Sequence, residues 1–132
     1  AHVFLDLGDE EHTRGRPHPM IDVAARSALL LEQARDPSVA VVLFDVVIGE
    51  GAHPDPASVL APAAARIVES GAMVVVRIVG TPADPQDVMK QRRQLELAGC
   101  IIAPSNARAA YVATAIVLRN PAVAFQTRAA IS

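Results

Sequence analysis

Apolar positions along the chain fall into four short runs separated by longer mixed stretches. The runs are "HVFLDL" (2–7), "VAVVLFDVVI" (39–48), "AMVVVRIV" (72–79) and "CIIA" (100–103), each rich in β-branched residues and each closed by glycine or proline. Nearly continuous apolar runs of this length are the pattern of strands buried on both faces of a parallel sheet. Between and after them, residues 23–35, 57–70, 85–98 and 105–119 are long enough for helices. They are rich in Ala, Leu, Arg, Glu and Gln, which lose little side-chain freedom in a helix.

The boundaries carry their own chemistry. Asp55-Pro56 and Asp84-Pro85 each set an N-cap acceptor before a proline at the first helical position, where the missing N–H costs nothing. Ser105 suits the same role for the last helix, with Asn106 beside it, and Asp22 for the first. Gly71 and Gly99 stand where a left-handed cap turns the chain into the next strand. A regular β-α alternation with short returns implies right-handed crossovers and helices on both faces of the sheet. The predicted fold class is therefore α/β, a flavodoxin-like three-layer sandwich with a mainly parallel sheet, forming one domain over residues 1–132. The tail "PAVAFQTRAAIS" (121–132) reads equally as a last strand or an extended arm.

Composition narrows this picture. A chain of 132 residues that is 52% hydrophobic can bury one real core, and with 3% aromatic residues and no Trp that core must be Val, Ile, Leu and Ala. A net charge of -2, with dispersed basic residues, argues against nucleic acid as a partner. No apolar run approaches membrane-spanning length, and no signal-peptide pattern opens the chain, so neither a membrane nor secretion is expected. The single Cys100 rules out an internal disulfide framework and supplies no metal cluster; it points to a reducing, cytoplasmic setting, and it reads as a core filler rather than a nucleophile. The chain opens without Met and enters a strand almost at once, which suggests one domain of a longer protein.

In open parallel sheets ligands bind outside the carboxyl ends of the strands. The segments expected there are "GDEEHTRGRPHPMID", "GEGAHPDP", "GTPADP" and "PSNA". In the first, Arg14 and Arg16 suit bidentate contact with phosphate or carboxylate, while Pro17 and Pro19 stiffen the loop around His18. The alternative is an ordinary loop in which these arginines pair with Asp9, Glu10 or Glu11. In the second, Gly49 and Gly51 permit positive φ and close backbone approach, and the following helix aims N–H groups at the same spot, which together make an anion nest. The pattern lacks the Walker ending and the three spaced glycines of a dinucleotide site. His53 is a candidate for phosphate contact or proton transfer, or simply a turn residue before proline. Thr81 is an oxyanion donor or part of a plain turn leading into the helix, and Tyr111 reads as packing. Asp45, late in its strand, either orients an arginine or histidine of a site or forms a structural pair. A phosphoacceptor receiver domain is set aside, because Gly80-Thr81 stands where its aspartate would end the third strand and the only lysine, Lys90, lies in the following helix.

The segments "DLGDEEHTRGRPHPMID", "VVLFDVVIGEGAHPDP", "GTPADPQ" and "LELAGCIIAPSNARAA" resemble the C-terminal domain of the FdrA family of acyl-CoA-synthetase-like proteins over nearly the whole chain. More distantly, the chain is similar to the CoA-ligase domain of the succinyl-CoA synthetase alpha subunit. There a Gly-Glu turn, here Gly49-Glu50-Gly51, begins a helix whose dipole stabilises a phosphohistidine. The phosphohistidine itself lies in a Gly-His-Ala-Gly loop, whereas "GTPADPQ" holds no histidine, so that role is not carried over. The resemblance implies acyl, phosphoryl or carbamoyl transfer, with a proposed role in purine and allantoin breakdown involving oxamate and carbamoyl phosphate. It also implies CoA or a nucleotide, bound mainly by other domains. The expected partners are a small anionic substrate and other domains or a partner subunit, with homo-oligomerisation open. In the leading reading Arg14 and Arg16 hold the anion, His18 and His53 exchange protons or hydrogen bonds with it, and Gly49, Gly51 and Thr81 cradle it. The rival is a non-catalytic interaction module that keeps the fold without the phosphohistidine loop.

Overall fold

The computed structural model of the protein describes Arg14 and residues 23–125. The expected strand at 2–7, the candidates Arg16, His18 and Asp22, and residues 126–132 of the tail lie outside the described residues. The elements are α1 (Ala24–Ala34), β1 (Val41–Val47), α2 (Pro56–Glu69), β2 (Met73–Val79), α3 (Val88–Leu97), β3 (Ile101–Ile102), α4 (Asn106–Leu118) and a 3-10 turn (Pro121–Phe125). The three strands form a parallel sheet in the order β1-β2-β3. Val41 to Val47 face Met73 to Val79 in register, and Val75 and Val76 face Ile101 and Ile102.

Successive side chains of a strand point to opposite faces, and the core divides accordingly. Val46, Val74 and Val76 meet Leu30 of α1, Leu60 and Ile67 of α2, and Leu95 of α3. Val75 and Ala103 meet Ala109, Val112 and Ile116 of α4 on the other side. Helices therefore cover both faces, giving the α/β flavodoxin-like sandwich that the apolar runs predicted. Leu60, Ile67, Leu95, Val74, Val75 and Val76 are fully buried, each worth about 1.5–3 kcal/mol of transfer free energy. No helix among the described residues is long and apolar enough to cross a membrane.

Several boundaries match the sequence reading, and two differ for a physical reason. Pro56 opens α2, Ser105 Oγ accepts the Arg108 N–H at 3.1 Å to cap α4, and Gly71 and Gly99 both have a φ of +99°. Asp55 stands at the N-cap position but its carboxylate does not cap; the Ala57 N–H donates instead to Gln91 Oε1 at 2.8 Å. The third helix begins at Val88, not residue 85, and its cap is Asp87 rather than Asp84. Asp87, at a φ of +59°, accepts the Met89 and Lys90 N–H groups, each at 3.2 Å. Residues 84–86 instead form a turn that brings Asp84 to Thr81 and Gln86 to Gly49.

Asp45 proves to be part of a structural pair. It lies opposite Arg77 in the ladder, and the arginine contacts it through Nε to Oδ1 at 3.2 Å and through NH2 to Oδ2 at 2.8 Å. Arg26 of α1 donates to the Asp45 carbonyl and lies over the Phe44 ring, 5.7 Å from its centre. Burial lowers the Arg26 pKa, and the Asp45 charge opposes that shift. Tyr111 is half-buried beneath Arg108, and residues 121–125 form a 3-10 turn on α4 rather than a strand or an arm.

Gly80 follows the end of β2 and packs against Ile48. A Cβ there would stand 2.1 Å from Ile48 Cγ1. Gly80→Ala is expected to cost about 1–3 kcal/mol by overpacking, read from urea unfolding. Combining it with Ile48→Ala should cost less than the sum of the single changes, because the second removes the atom that the first collides with.

Candidate functional site

The segments leaving β1 and β2 at their carboxyl ends are tied together by two buried glutamines. The ladder between the strands ends with the Ile48 N–H donating to the Val79 carbonyl at 3.0 Å. Beyond it the Gln86 side chain takes over the role of a strand. The Gly49 N–H donates to Gln86 Oε1 at 3.0 Å, and Gln86 Nε2 donates to the Gly49 carbonyl at 2.7 Å and to the His53 carbonyl at 3.2 Å. An amide side chain is the right group, since it presents a donor and an acceptor side by side as a peptide does. Gln86 is only 5% exposed.

Gln91 of α3 is fully buried and holds the start of α2. Besides accepting the Ala57 N–H, it donates through Nε2 to Asp55 Oδ1 at 2.9 Å and to the Gln86 carbonyl at 3.1 Å. Gln94 adds a bond to Asp55 Oδ1 at 3.2 Å. No buried side-chain nitrogen or oxygen among the described residues lacks a partner. Burial would raise the Asp55 pKa, but hydrogen bonds from Gln91, Gln94 and the Ser58 backbone, with the charge of Lys90, together outweigh it and hold the carboxyl below its ordinary 3.8.

The candidates fall into distinct groups around this clasp. Gly51, at a φ of +81°, is exposed with open space where a Cβ would stand. His53 is half-buried, and its Nδ1 accepts the Asp55 N–H at 3.0 Å. Gly49, at a φ of +145°, has its N–H engaged by Gln86, so that amide serves the clasp. Thr81 is turned on the protein itself: its N–H donates to Asp84 Oδ2 at 2.6 Å and its hydroxyl to the same oxygen at 3.3 Å. The Asp84 carboxylate thus stands where the sequence reading placed an external oxyanion. Arg14 is an exposed turn residue, with no described contact to Gly51 or His53.

The segments 48–55 and 80–87 carry four carboxylates, Glu50, Asp55, Asp84 and Asp87, and no Lys or Arg. By themselves they do not fit the diphosphate of CoA or of a nucleotide, which needs cationic donors. No group of three or more His, Cys, Asp or Glu among the described residues is arranged to hold a metal ion. Cys100 is buried in the core, which pushes its pKa up to about 11.

Reading the sequence for catalytic residue types passed over Gln86, Gln91 and Gln94. One signal for Gln91 was present: Val88, Gln91 and Leu95 share one helix face at spacings of three and four, the face that α3 buries. Gln86 lies outside any periodic element and left no comparable mark.

Comparison with known proteins bears on the same segments. A family model described as CoA-ligase matches residues 1–116. The chain belongs to the CoA-ligase family. It is also 36% identical over 129 residues to the uncharacterized protein YahF of Escherichia coli (strain K12). That match covers 90% of this chain and 24% of YahF, so the chain spans about a quarter of the length of that relative. Both findings agree with the resemblance drawn from "GRPHPMID" and "GAHPDP".

Two measurements check the electrostatics of this CoA-ligase domain. Because the Asp55 pKa is lowered by folding, its contribution is present in full above its ordinary 3.8 and disappears as pH falls through the lowered folded value. The stability gap between the wild-type chain and Asp55→Asn, read from urea midpoints, should therefore close on acidification through that range. The Cys100 thiol, with its pKa near 11, should resist iodoacetamide at pH 8 in the folded protein and react once urea unfolds it.

Proposed function

We propose that this CoA-ligase domain is the FdrA-type, acyl-CoA-synthetase-like part of a larger cytoplasmic enzyme, and that its β1–α2 loop binds a small anion bearing a phosphate or carboxylate. The observation that carries the reading is the clasp itself. Gln86 fixes both Gly49 and the His53 carbonyl, so an exposed Gly51 and a half-buried imidazole are held in place at the strand ends before any ligand arrives. Such preorganisation lowers the entropy lost on binding. The nearby carboxylates disfavour an anion alone, so the reading assigns Arg14 and Arg16 to balance its charge and His18 to a hydrogen bond or proton transfer. Acyl, phosphoryl or carbamoyl transfer, including the oxamate chemistry of allantoin and purine breakdown, is the reaction class that the FdrA resemblance suggests. CoA or a nucleotide belongs to other domains or a partner subunit, in keeping with a chain about a quarter as long as YahF.

The second reading, a non-catalytic interaction module, is favoured by Asp84. Its carboxylate takes the Thr81 N–H and hydroxyl, so the β2–α3 turn has its own internal anion in place of a ligand.

Titrating the chain separately with phosphate, carbamoyl phosphate, oxamate, CoA and ATP, followed by NMR, separates the two readings. Saturable shifts at Gly51, His53 and Arg14 with one of these are expected, and they should weaken about tenfold or more when Arg14 and Arg16 are both replaced by alanine. No saturable shift with any of the five would overturn the anion reading in favour of the interaction module.

A further inference from the structure

We infer that His53 serves its loop as a fixed hydrogen-bond donor through Nε2, and not as a nucleophile or phosphoryl acceptor, with Gln91 and Gln94 as the positioning residues that lock it. The ligand it would address, an oxyanion or carbonyl oxygen, rests on the reading of the β1–α2 loop as an anion site; the lock itself does not. A neutral imidazole has one N–H and one lone pair. The lone pair on Nδ1 accepts the Asp55 N–H at 3.0 Å, which leaves the proton on Nε2. Attack on phosphorus or an acyl carbon needs a lone pair on the attacking nitrogen, and here that pair is already engaged. Nε2 has no hydrogen-bond partner among the described residues, so its N–H is the group left to meet a ligand.

The amide that fixes this tautomer is itself held. The Asp55 carboxylate accepts from Gln91 and Gln94, its carbonyl accepts the Ser58 hydroxyl at 2.8 Å, and Gln91 also anchors the next free amide, that of Ala57. Pro54 restricts the backbone between ring and amide. Gln86 secures the His53 carbonyl from the other side. Both ends of the segment from His53 to Asp55 are therefore tied to the β2–α3 turn and α3, and the ring has a defined partner at Nδ1.

Long-range 1H–15N spectra of the labelled chain at neutral pH, with inorganic phosphate titrated in, test this directly. The expected result is an excess of about tenfold of the Nε2–H tautomer, as one well-made hydrogen bond at Nδ1 would give. Asp55→Asn should keep that excess, because an asparagine oxygen still accepts from Gln91 and Gln94. Replacing Gln91 and Gln94 together by leucine should reduce it several-fold while circular dichroism reports whether the fold persists. A predominant Nδ1–H tautomer or an even mixture in the wild-type chain would overturn the inference whatever the variants do. An unchanged tautomer ratio in a folded Gln91→Leu, Gln94→Leu chain would remove the positioning role. If the tautomer is as expected but phosphate moves neither Nε2 nor its proton, the lock stands and the anion reading of the loop falls.

Discussion

The reciprocal pair of hydrogen bonds between Gln86 and Gly49 is the contact on which the carboxyl edge of the sheet depends. Two strands of a parallel sheet diverge where their ladder ends, and the segments that follow are free to take many conformations. Here a side-chain amide continues the ladder by one more pair and prevents that divergence. Removing it would strand the Gly49 N–H, at a cost of about 1–3 kcal/mol, while the Gly49 carbonyl would keep the Ala52 N–H. Gln91 repeats the device one turn further on, where a helix start would otherwise bury an unpaired N–H. Because both glutamines lie in or beside α3, the start of that helix, the start of α2 and the end of β1 are tied to one another.

This arrangement limits which donors the edge leaves open. Donors that look available in the sequence are already engaged: the Gly49 amide by Gln86, the Thr81 amide and hydroxyl by Asp84. What remains open is narrower, an exposed glycine with positive φ and one imidazole nitrogen, in surroundings made negative by carboxylates. Such an edge by itself offers a diphosphate no cationic side chain. The β2–α3 turn of this CoA-ligase domain carries Asp84 and no histidine.

Elsewhere in the sheet the same economy of polar groups holds the scaffold together. Asp45 and Arg77 satisfy each other across neighbouring strands, and Arg26 reaches from α1 to a β1 carbonyl while stacking on Phe44. These charges are only partly exposed, so each is stabilised by a specific partner and not by solvent alone. They fix α1 and the two long strands relative to one another. Of the two roles open to Asp45 in the sequence, orienting a site residue or forming a structural pair, the structure shows the pair.

Much of this was legible in the amino-acid sequence. Apolar runs with β-branched residues, separated by stretches of helical composition, determined the α/β alternation, because strand and helix burial each impose their own spacing on a chain. Gly71, Gly99, Pro56 and Ser105 marked element ends through strictly local backbone rules, and those ends fall where the rules put them. The family was legible for the same reason, since "GRPHPMID" and "GAHPDP" are contiguous. The tertiary structure alone decided which polar groups meet. Asp55 and Asp84 look alike in sequence, each an aspartate before proline, yet one receives two glutamine amides from α3 and the other turns back on Thr81. Hydrogen bonds between residues more than thirty positions apart leave no periodic trace. They form only after the apolar core has brought β1, β2 and α3 together, and there Gln86 and Gln91 find their partners.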